Sequence, residues 1–394
     1  MMNNRILSID IFRGLTIFMM VFVNDLAGIS DIPTWMKHIP PGQNGMTFVD
    51  VVFPAFLFIV GMAIPFAMKQ RRLKSDNPFE LWKHVFTRTL GLLILGFYMV
   101  NSEEMNAEAN LIPKGLWDAL FYLSAIFIWN NYSKGSWLDK GKQSNALQII
   151  GLLVLVALFF LFRKGTAEQP LGMTLSWWGI LGLIGWAYLF SVIIYQIAGR
   201  NIFLFSGAFG ITLFLLLYIR ANEGFIPDVI EWFMLPGHLS HTLITLAGVI
   251  CSLILMQHQV QTNFTTKMIQ ILLWGGMLAI LGYFTRFSGG ISKIGATPSW
   301  ALYSSAICCV IFPFVYWLVD IRGFKNWADF LKPAGENPLL TYILPSLFAA
   351  VVGLSWLPSI FHSGALGFIR SVLFSLFILL IAKWLTKEGV RLKL

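Results

Sequence analysis

Residues 48–68 read FVDVVFPAFLFIVGMAIPFAM, and the class of fold follows from this stretch. A helix that crosses a bilayer needs about 20 consecutive, mainly apolar residues. The stretch meets that length, and its one charged residue, Asp50, stands near its beginning. Pro54 and Pro65 each remove a backbone hydrogen bond, so we expect the helix to be kinked. The stretch therefore predicts a membrane-spanning helix with a polar start.

The composition of the whole chain agrees with this prediction. Of its 394 residues, 57% are hydrophobic and 12% are charged, and the mean hydropathy is +0.72. Soluble proteins carry about 25% charged residues. We predict an all-α polytopic membrane protein with ten to twelve membrane-spanning helices in one bundle, which forms a single domain over residues 1–394. The predicted spans lie near residues 7–28, 48–68, 85–101, 115–131, 146–162, 176–197, 201–219, 239–257, 268–285, 301–320, 338–356 and 366–386.

The net charge of +9 follows the predicted topology rather than forming a patch that would bind nucleic acid. With a cytoplasmic N-terminus, most lysine and arginine residues fall in segments on the inner side of the membrane. This asymmetry is what the positive-inside rule requires. We therefore predict that both termini are cytoplasmic and that the segment 35–47 lies on the outer side.

Two charged residues stand inside the first predicted span. Asp10 and Arg13 are three residues apart, so they lie on one face of a helix. An ionised side chain at the centre of a bilayer costs at least about 2.5 kcal/mol, unless a partner or the interface lowers that cost. The pair is interpreted either as an ion pair that ties the helix to a neighbour or as a polar lining for a cofactor entrance.

His238 and His241 form a His-x-x-His pair at the outer end of a predicted span. On a helix the two rings share a face and can bind a metal ion, for which Asp228 or Glu231 would supply a third ligand. A polar helix end or a contact with a substrate explains the pair better. No metal is expected.

Three stretches taken together resemble one known family. They are RILSIDIFRGLTIFMMVFVND (5–25), NGMTFVDVVFPAFLFIVGMAIPF (44–66) and SKIGATPSW (292–300). They are similar to the heparan-α-glucosaminide N-acetyltransferase family and, more closely, to its bacterial relatives with a domain of unknown function. The resemblance implies a multi-pass acetyltransferase of the bacterial inner membrane. Such a protein takes the acetyl group of cytosolic acetyl-CoA and transfers it to the amine of a glucosamine-type sugar on the periplasmic side.

The resemblance also implies the catalytic residues. The family's catalytic histidine lies in the loop between the first two motifs, which makes it His38 here, with Asn24 and Asp50 beside it. Imidazole changes its charge near neutral pH, so His38 would serve as a general base or as a nucleophile that carries the acetyl group. Asn24 would orient the histidine or donate to the thioester oxyanion, and Asp50 would hold the imidazole tautomer.

The remaining site residues follow from the same resemblance and from the charge of the donor. Acetyl-CoA is expected as the acetyl-donor co-substrate, and its phosphates need cations. The positive-inside rule alone also explains the cations that follow the second span. The predicted cofactor-binding residues are Arg13, Asp10, Arg71, Arg72, Arg88 and Asn337, and the predicted substrate-binding residues are Asp25, Lys293, Trp300, His238 and Asp118.

The sequence departs from the family in two places. Five residues, 39–43, separate His38 from the Asn-Gly pair, where the family usually has fewer. Trp117 and Asp118 stand where the family often has Gln-Arg. If that pair contacts the acceptor, the acceptor here differs from heparan.

Two other functions fit part of the pattern. An O-acetyltransferase of cell-surface polysaccharide would use a similar scheme on a hydroxyl group. A sugar transporter or flippase would explain the many spans, but it leaves the loop histidine unexplained, and the sequence shows no repeated halves. The expected partners are the lipid bilayer, acetyl-CoA and a terminal amino sugar or oligosaccharide, without nucleic acid, and a homodimer stays open.

Overall fold

The computed structural model describes residues 6–74, 77–132, 142–166, 168–222, 227, 233, 235–257, 264–353 and 358–393. Most of these residues fold into α-helices. In chain order the helices are α1 (Leu7–Leu26), α2 (Val49–Lys74), α3 (Pro78–Glu103), α4 (Lys114–Trp129), α5 (Lys142–Leu161), α6 (Gly179–Ala198), α7 (Ile202–Ala221), α8 (Leu235–Met256), α9 (Phe264–Thr285), α10 (Pro298–Tyr316), α11 (Lys332–Glu336), α12 (Pro338–Val351) and α13 (Gly364–Lys387).

Each of the twelve predicted spans falls on one of these helices. Among the described residues, ten helices are long and apolar enough to cross a membrane. The helices α4 and α12 are shorter, with 16 and 14 residues. The predicted all-α polytopic fold is therefore confirmed. Residues 354–356, the end of the predicted span 338–356, lie outside the described residues.

The other elements are short. Strands β1 (Lys164–Gly165) and β2 (Pro170–Leu171) pair antiparallel between α5 and α6. A π-helix, Trp317–Ile321, continues α10, and 3₁₀ turns cover Thr34–Met36, Asn326–Leu331 and Ser359–His362.

The chain divides into two compact units. The first unit contains Met1–Thr16, Pro33–Thr89 and Leu183–Asp329, and the second contains Ile17–Ile32, Leu90–Gly182 and Phe330–Leu394. The chain passes from one unit to the other at five points, which lie inside α1, α3 and α6, between Ile32 and Pro33, and within the 3₁₀ turn Asn326–Leu331. The single domain expected for residues 1–394 stays a prediction, and the two units are described separately.

In the first unit, α2 and α8 pack with their backbones in contact. A Cβ atom added to Gly61 would overlap the backbone of Thr245, and one added to Gly248 would overlap the carbonyl group of Phe58. Small residues at such positions let membrane helices approach closely and gain van der Waals contacts. The close contact fixes α2, which carries Asp50 at its start, on the buried helix α8.

The N-terminus of α1 is capped from a distant part of the same unit. The carboxylate of Asp320, in the π-helix, accepts hydrogen bonds from the backbone N–H groups of Leu7 at 3.1 Å and Ser8 at 2.9 Å. The first N–H groups of a helix have no partner within the helix, and a carboxylate there also faces the positive end of the helix dipole. The π-helix thus places the acceptor that stabilises the start of α1.

The second unit has an aromatic core. The rings of Tyr98, Trp117 and Phe121 stack, with centroids 5.4 to 6.1 Å apart. The polar atoms of the two amphipathic rings are satisfied, because Tyr98 donates to the carbonyl of Leu155 at 2.9 Å and Trp117 to that of Leu158 at 3.2 Å. Trp117, one of the two residues that depart from the family pattern, is therefore a buried packing residue.

Candidate functional site

The site begins at the N-terminus of α2 in the first unit. Asp50 is 1% exposed, and one of its carboxylate oxygens, Oδ2, accepts hydrogen bonds from the backbone N–H groups of Thr47 at 3.0 Å and Ile39 at 3.4 Å. In a capping box, the side chain three residues after the N-cap residue accepts a hydrogen bond from the backbone N–H of the N-cap residue. Asp50 makes this contact with Thr47. The helix start and the preceding loop together hold this carboxylate in one orientation.

The other carboxylate oxygen of Asp50 holds His38. Oδ1 lies 2.7 Å from Nδ1 of His38. An ionised carboxylate only accepts hydrogen bonds, so the proton between the two groups belongs to Nδ1. The other ring nitrogen, Nε2, then has a free lone pair, and the side chain is 32% exposed. The predicted relation between Asp50 and His38 thus has the geometry of an oriented base or nucleophile.

The extra residues between His38 and Asn44 form a turn. Gln43 N–H donates to the carbonyl of Pro40 at 3.2 Å, and Gly42 has φ +80°. A type II turn has this hydrogen bond, favours proline at its second position and requires positive φ at its third, where glycine fits best. Pro40-Pro41-Gly42-Gln43 meets these requirements. The turn takes up the added length, and His38 still reaches Asp50.

The loop 286–297, between α9 and α10, docks onto this segment. Asn44 accepts a hydrogen bond from Ile291 N–H at 2.8 Å through its side chain, and Gly45 N–H donates to the carbonyl of Ile291 at 2.9 Å. Gly290 has φ +70°, and a Cβ atom there would lie 3.1 Å from the side-chain oxygen of Asn44. Glycine is therefore suited to this position both by its conformation and by the space available.

The docked loop brings Lys293 to the histidine. Its Nζ lies 3.1 Å from Nε2 of His38 and 3.3 Å from Nδ1. Burial of the ammonium group lowers the pKa of Lys293, and the charge of Asp50 offsets part of that shift. Lys293, predicted as a substrate-binding residue, therefore lies at the group that was predicted to react.

Trp300 lies behind Asp50. Its ring is fully buried, and its Nε1 donates to the backbone carbonyl of Asp50 at 3.0 Å. His241 packs between Phe53 and Trp300, with centroid distances of 5.5 and 5.7 Å. Contact between Trp300 and a substrate stays a prediction. In this structure the indole supports the start of α2.

Replacing Trp300 with phenylalanine tests this support. Trp300→Phe keeps an aromatic ring but leaves the buried Asp50 carbonyl without this donor, so we expect a loss of about 1–3 kcal/mol in stability. Thermal unfolding of the purified protein measures it. Trp327→Phe is the matched control, because Trp327 makes an equivalent but exposed bond to the carbonyl of Phe324 at 3.0 Å. Equal effects of both substitutions would contradict the support assigned to Trp300.

A second feature, which we call the cationic cavity, lies at the other end of α2. Its volume is about 620 Å³, and it opens between the end of α2, the start of α3 and α6. Arg71 Nη2 lies 2.5 Å from Nε2 of His84, and Arg72 donates to Gln196 at 2.8 Å. The described residues that line the cavity are Arg71, Arg72, Asn77, Pro78, Glu80, Leu81, Trp82, Lys83, His84, Thr87 and Gln196.

The His38–Asp50 pair and the cationic cavity are separated by the length of α2. Asp50 is the second residue of the helix, and Arg71 is in its last turn. At a rise of 1.5 Å per residue they lie about 30 Å apart along the helix, which is the thickness of a bilayer core. The dyad of His38 and Asp50 and the cationic cavity therefore stand at opposite ends of a membrane-length helix.

The other predicted cofactor residues of the first unit lie outside the described lining of this cavity. Asp10 and Arg13 pair on α1 at 3.2 Å, as expected from their spacing. Arg88 lies on α3 with its guanidinium 4.7 Å from the ring centroid of Tyr188. Their binding to a cofactor stays a prediction.

The remaining predicted site residues belong to the second unit. Asn24 is an exposed residue of α1. Asp25 accepts hydrogen bonds from Arg370 at 2.7 Å and from Ser371 at 2.5 Å. Asp118 is held by Ser102 and Lys114. The roles predicted for these residues stay predictions. Asp25 and Asp118 each contact other side chains of the protein.

Asn337, predicted to bind the cofactor, is buried in the second unit. Its side-chain amide donates to Thr386 at 3.0 Å and to the carbonyl of Val390 at 2.8 Å, while its oxygen accepts from Leu392 N–H at 3.2 Å. Both donor hydrogens are used within the protein. In this structure the residue ties the C-terminal segment to α12.

The His-x-x-His pair is buried on α8. His238 packs against Phe233 and Trp186, with centroid distances of 4.9 and 5.6 Å. Asp228 and Glu231, named above as third metal ligands, lie outside the described residues. Within the part of the chain that the structure describes, no group of three His, Cys, Asp or Glu side chains is placed to hold a metal ion.

Sequence reasoning did not identify the residues that hold the Lys293 loop. The carbonyl of Ala296 accepts hydrogen bonds from Ser240 at 2.5 Å and from Arg220 at 3.0 Å. Ala296 itself has φ +45°, which is unfavourable for a residue with a Cβ atom. The only local signal was Arg220 at the end of an apolar helix, and nothing in the sequence linked it to residue 296.

Comparison with known proteins finds one family and two curated relatives. A family model described as a domain of unknown function (DUF5009) matches residues 5–235. Among curated proteins, the heparan-alpha-glucosaminide N-acetyltransferase of Homo sapiens is 36% identical over 98 residues, and that of Mus musculus is 35% identical over 99 residues. Each match covers 25% of this chain and only 14% of the relative.

Proposed function

The chain belongs to the DUF5009 family, and from the geometry of its site we propose that it is a transmembrane acetyltransferase. The observation that carries the proposal is the pairing of an oriented, partly exposed histidine at one end of α2 with a cationic cavity at the other. Acetyl transfer to an amine needs a base or nucleophile at the reacting carbonyl. A donor with phosphate groups needs cations at some distance from that carbonyl.

The proposed donor is acetyl-CoA, bound from the cytoplasmic side of a bacterial inner membrane. Arg71 and Arg72 bring guanidinium groups to the cavity, and arginine suits phosphate because its donors form a planar fork. Trp82 adds an aromatic surface to the lining. The positive charge after α2 also follows the positive-inside rule, so the cavity and both termini are assigned to the cytoplasm.

The proposed acceptor is the amine of a glucosamine-type sugar on the outer side. Asp50 keeps the proton of His38 on Nδ1, so Nε2 either attacks the thioester carbonyl or takes the proton from the acceptor amine. In both routes the C–S bond of the thioester breaks, an amide C–N bond forms and CoA leaves as a thiol. The names of the human and mouse relatives support an N-acetyltransferase of this kind.

The direct test uses the purified full-length protein in liposomes. Radiolabelled acetyl-CoA is placed on one side of the bilayer and glucosamine on the other, and the formation of labelled N-acetylglucosamine is measured. Label on the amine supports the proposal. Label on hydroxyl groups of a polysaccharide would replace it by O-acetylation, and sugar uptake without label would replace it by transport. No label on any amino sugar would contradict it.

Substitutions in the cationic cavity test the donor site. An ionic hydrogen bond contributes about 1.5–3 kcal/mol, so Arg71→Ala and Arg72→Ala are each expected to raise KM for acetyl-CoA roughly 10-fold or more. KM for glucosamine should change little. Arg322→Ala is the matched control, because Arg322 lies over the ring of Trp317 and outside the described cavity lining. An unchanged KM for acetyl-CoA in both cavity variants would remove the cavity as the donor site.

A further inference from the structure

Lys293 lies over the face of the His38 ring. Its Nζ is almost equally distant from both ring nitrogens, at 3.1 and 3.3 Å. An atom in the ring plane at these two distances would overlap a ring carbon, so Nζ must lie out of the plane. The lone pairs of the two nitrogens point away from each other within that plane. The contact is therefore an amine beside the ring face rather than a hydrogen bond along either lone pair.

This position is on the face of the ring from which an amine attacks an acetyl group on Nε2, and a small outward movement of the lysine side chain brings Nζ above the acyl carbon. An acetyl group bonded to an imidazole nitrogen is conjugated with the ring, so its carbonyl lies in the ring plane. A nucleophile approaches a carbonyl carbon from above or below that plane. Nζ stands on such a side, next to Nε2. If His38 acts as a base instead, Nε2 is within reach to take the proton from Nζ.

We propose that Lys293 is a self-acetylation site, at which the protein transfers an acetyl group to its own Nζ when no acceptor sugar is present. This inference rests on the proposed acetyltransferase function. The mechanism needs no other reactant than acetyl-CoA. The thioester C–S bond breaks, an amide bond forms between the acetyl carbon and Nζ, and a proton passes from the amine through the imidazole to the leaving thiolate.

The loop around Lys293 holds the amine in place. The Asn44–Ile291 and Gly45–Ile291 hydrogen bonds fix one side of the loop, and Ser240 and Arg220 fix the carbonyl of Ala296 on the other. A reactant held in contact behaves as if it were at very high concentration, with effective molarities of about 10⁵ M or more in well-oriented cases. The lowered pKa of Lys293 also raises the fraction of neutral amine, which is the nucleophilic form.

The acetylated lysine would not pass its acetyl group on to another molecule. N-acetyl-lysine is an amide, and an amide does not pass its acetyl group on to another amine as a thioester or an acyl-imidazole does. The added acetyl group would also remain beside Nε2, where the acceptor amine must approach. Self-acetylation is therefore expected to inactivate the protein in the absence of sugar, and a bound acceptor is expected to protect it.

The test follows the label on Lys293. The purified full-length protein is incubated with deuterium-labelled acetyl-CoA without acceptor, and acetylated lysines are located by peptide mass spectrometry. We expect at least 10-fold more label on Lys293 than on Lys37, Lys114 or Lys164, which serve as internal references for chemical acetylation. Glucosamine should lower the label on Lys293 while N-acetylglucosamine forms. The label on Lys293 should be lost in His38→Ala and in His38→Gln, with thermal unfolding of both compared with that of the wild type.

A rate measurement completes the test. Incubation with acetyl-CoA alone should lower the subsequent rate of glucosamine acetylation in the wild type, but not in Lys293→Arg relative to its own untreated rate. If glucosamine is acetylated and Lys293 carries no more label than Lys114, the self-acetylation inference is wrong and the proposed function stands. If neither is acetylated, both are wrong. Label on Lys293 that persists in both folded His38 variants would also overturn the inference.

Discussion

Replacing His38 with alanine is expected to reduce acetyl transfer to glucosamine by at least about 100-fold, and by up to 10⁴-fold, which is the range for loss of a general base. The reason is that Nε2 of the partly exposed His38 keeps its lone pair, while Nδ1 is bound to Asp50 at 2.7 Å. The initial rate of labelled N-acetylglucosamine formation measures the effect at saturating acetyl-CoA.

Lys37→Ala is the matched control for this substitution. Lys37 precedes His38, and its backbone carbonyl, which alanine keeps, accepts the hydrogen bond from Thr47 at 2.9 Å. We expect this variant to retain most of the wild-type rate. Full activity of a folded His38→Ala protein would show that the chemistry takes place elsewhere, and the catalytic role of His38 would be withdrawn.

The second large effect that we expect is a fall in kcat when Asp50 is replaced with asparagine. The asparagine amide fills the same space, but its NH₂ group can face Nδ1 of His38 and then selects the tautomer with the proton on Nε2. The corresponding substitution in serine proteases lowers kcat by about 10⁴-fold for this reason. We expect a fall of roughly 10²- to 10⁴-fold in kcat, with KM for acetyl-CoA little changed, because the cationic cavity lies about 30 Å away along α2.

Asp320→Asn separates this effect from a loss of structure. Asp320 also accepts backbone N–H groups at a helix start in the first unit, at 3.1 and 2.9 Å. Both substitutions are expected to lower the thermal stability, but only Asp50→Asn is expected to lower kcat strongly. Equal losses of kcat in the two variants would mean that Asp50 matters for folding alone.

Part of the candidate site was accessible from the sequence because it is local. His38 and Asp50 are 12 residues apart in the chain, and the contact at 2.7 Å is closed by the loop between them and the first turn of α2. The spacing of Asp10 and Arg13 likewise predicted their contact. Helix geometry is a short-range property, so spacing alone is enough to predict the Asp10–Arg13 pair, whereas the family resemblance was needed to name His38 and Asp50 together.

The other members of the site come from remote parts of the chain. Lys293 is 255 residues from His38, and Trp300 donates to a carbonyl 250 residues away. The family resemblance named both as substrate-binding residues, without indicating that Lys293 lies over the His38 ring and that Trp300 is buried behind Asp50. Ser240 and Arg220, which hold the Lys293 loop, had no signal that linked them to it.

The sequence by itself determined the class of this protein, its helices and the place of its polar residues along them, because a bilayer requires long apolar runs and makes every interruption costly. Only the tertiary structure decided which polar groups meet. An apolar helix face that contacts lipid has the same residue types as one that contacts another helix, so the partners of α2, α8 and α10 cannot be read from composition. The close packing of those helices brings Asp50, His38 and Lys293 together.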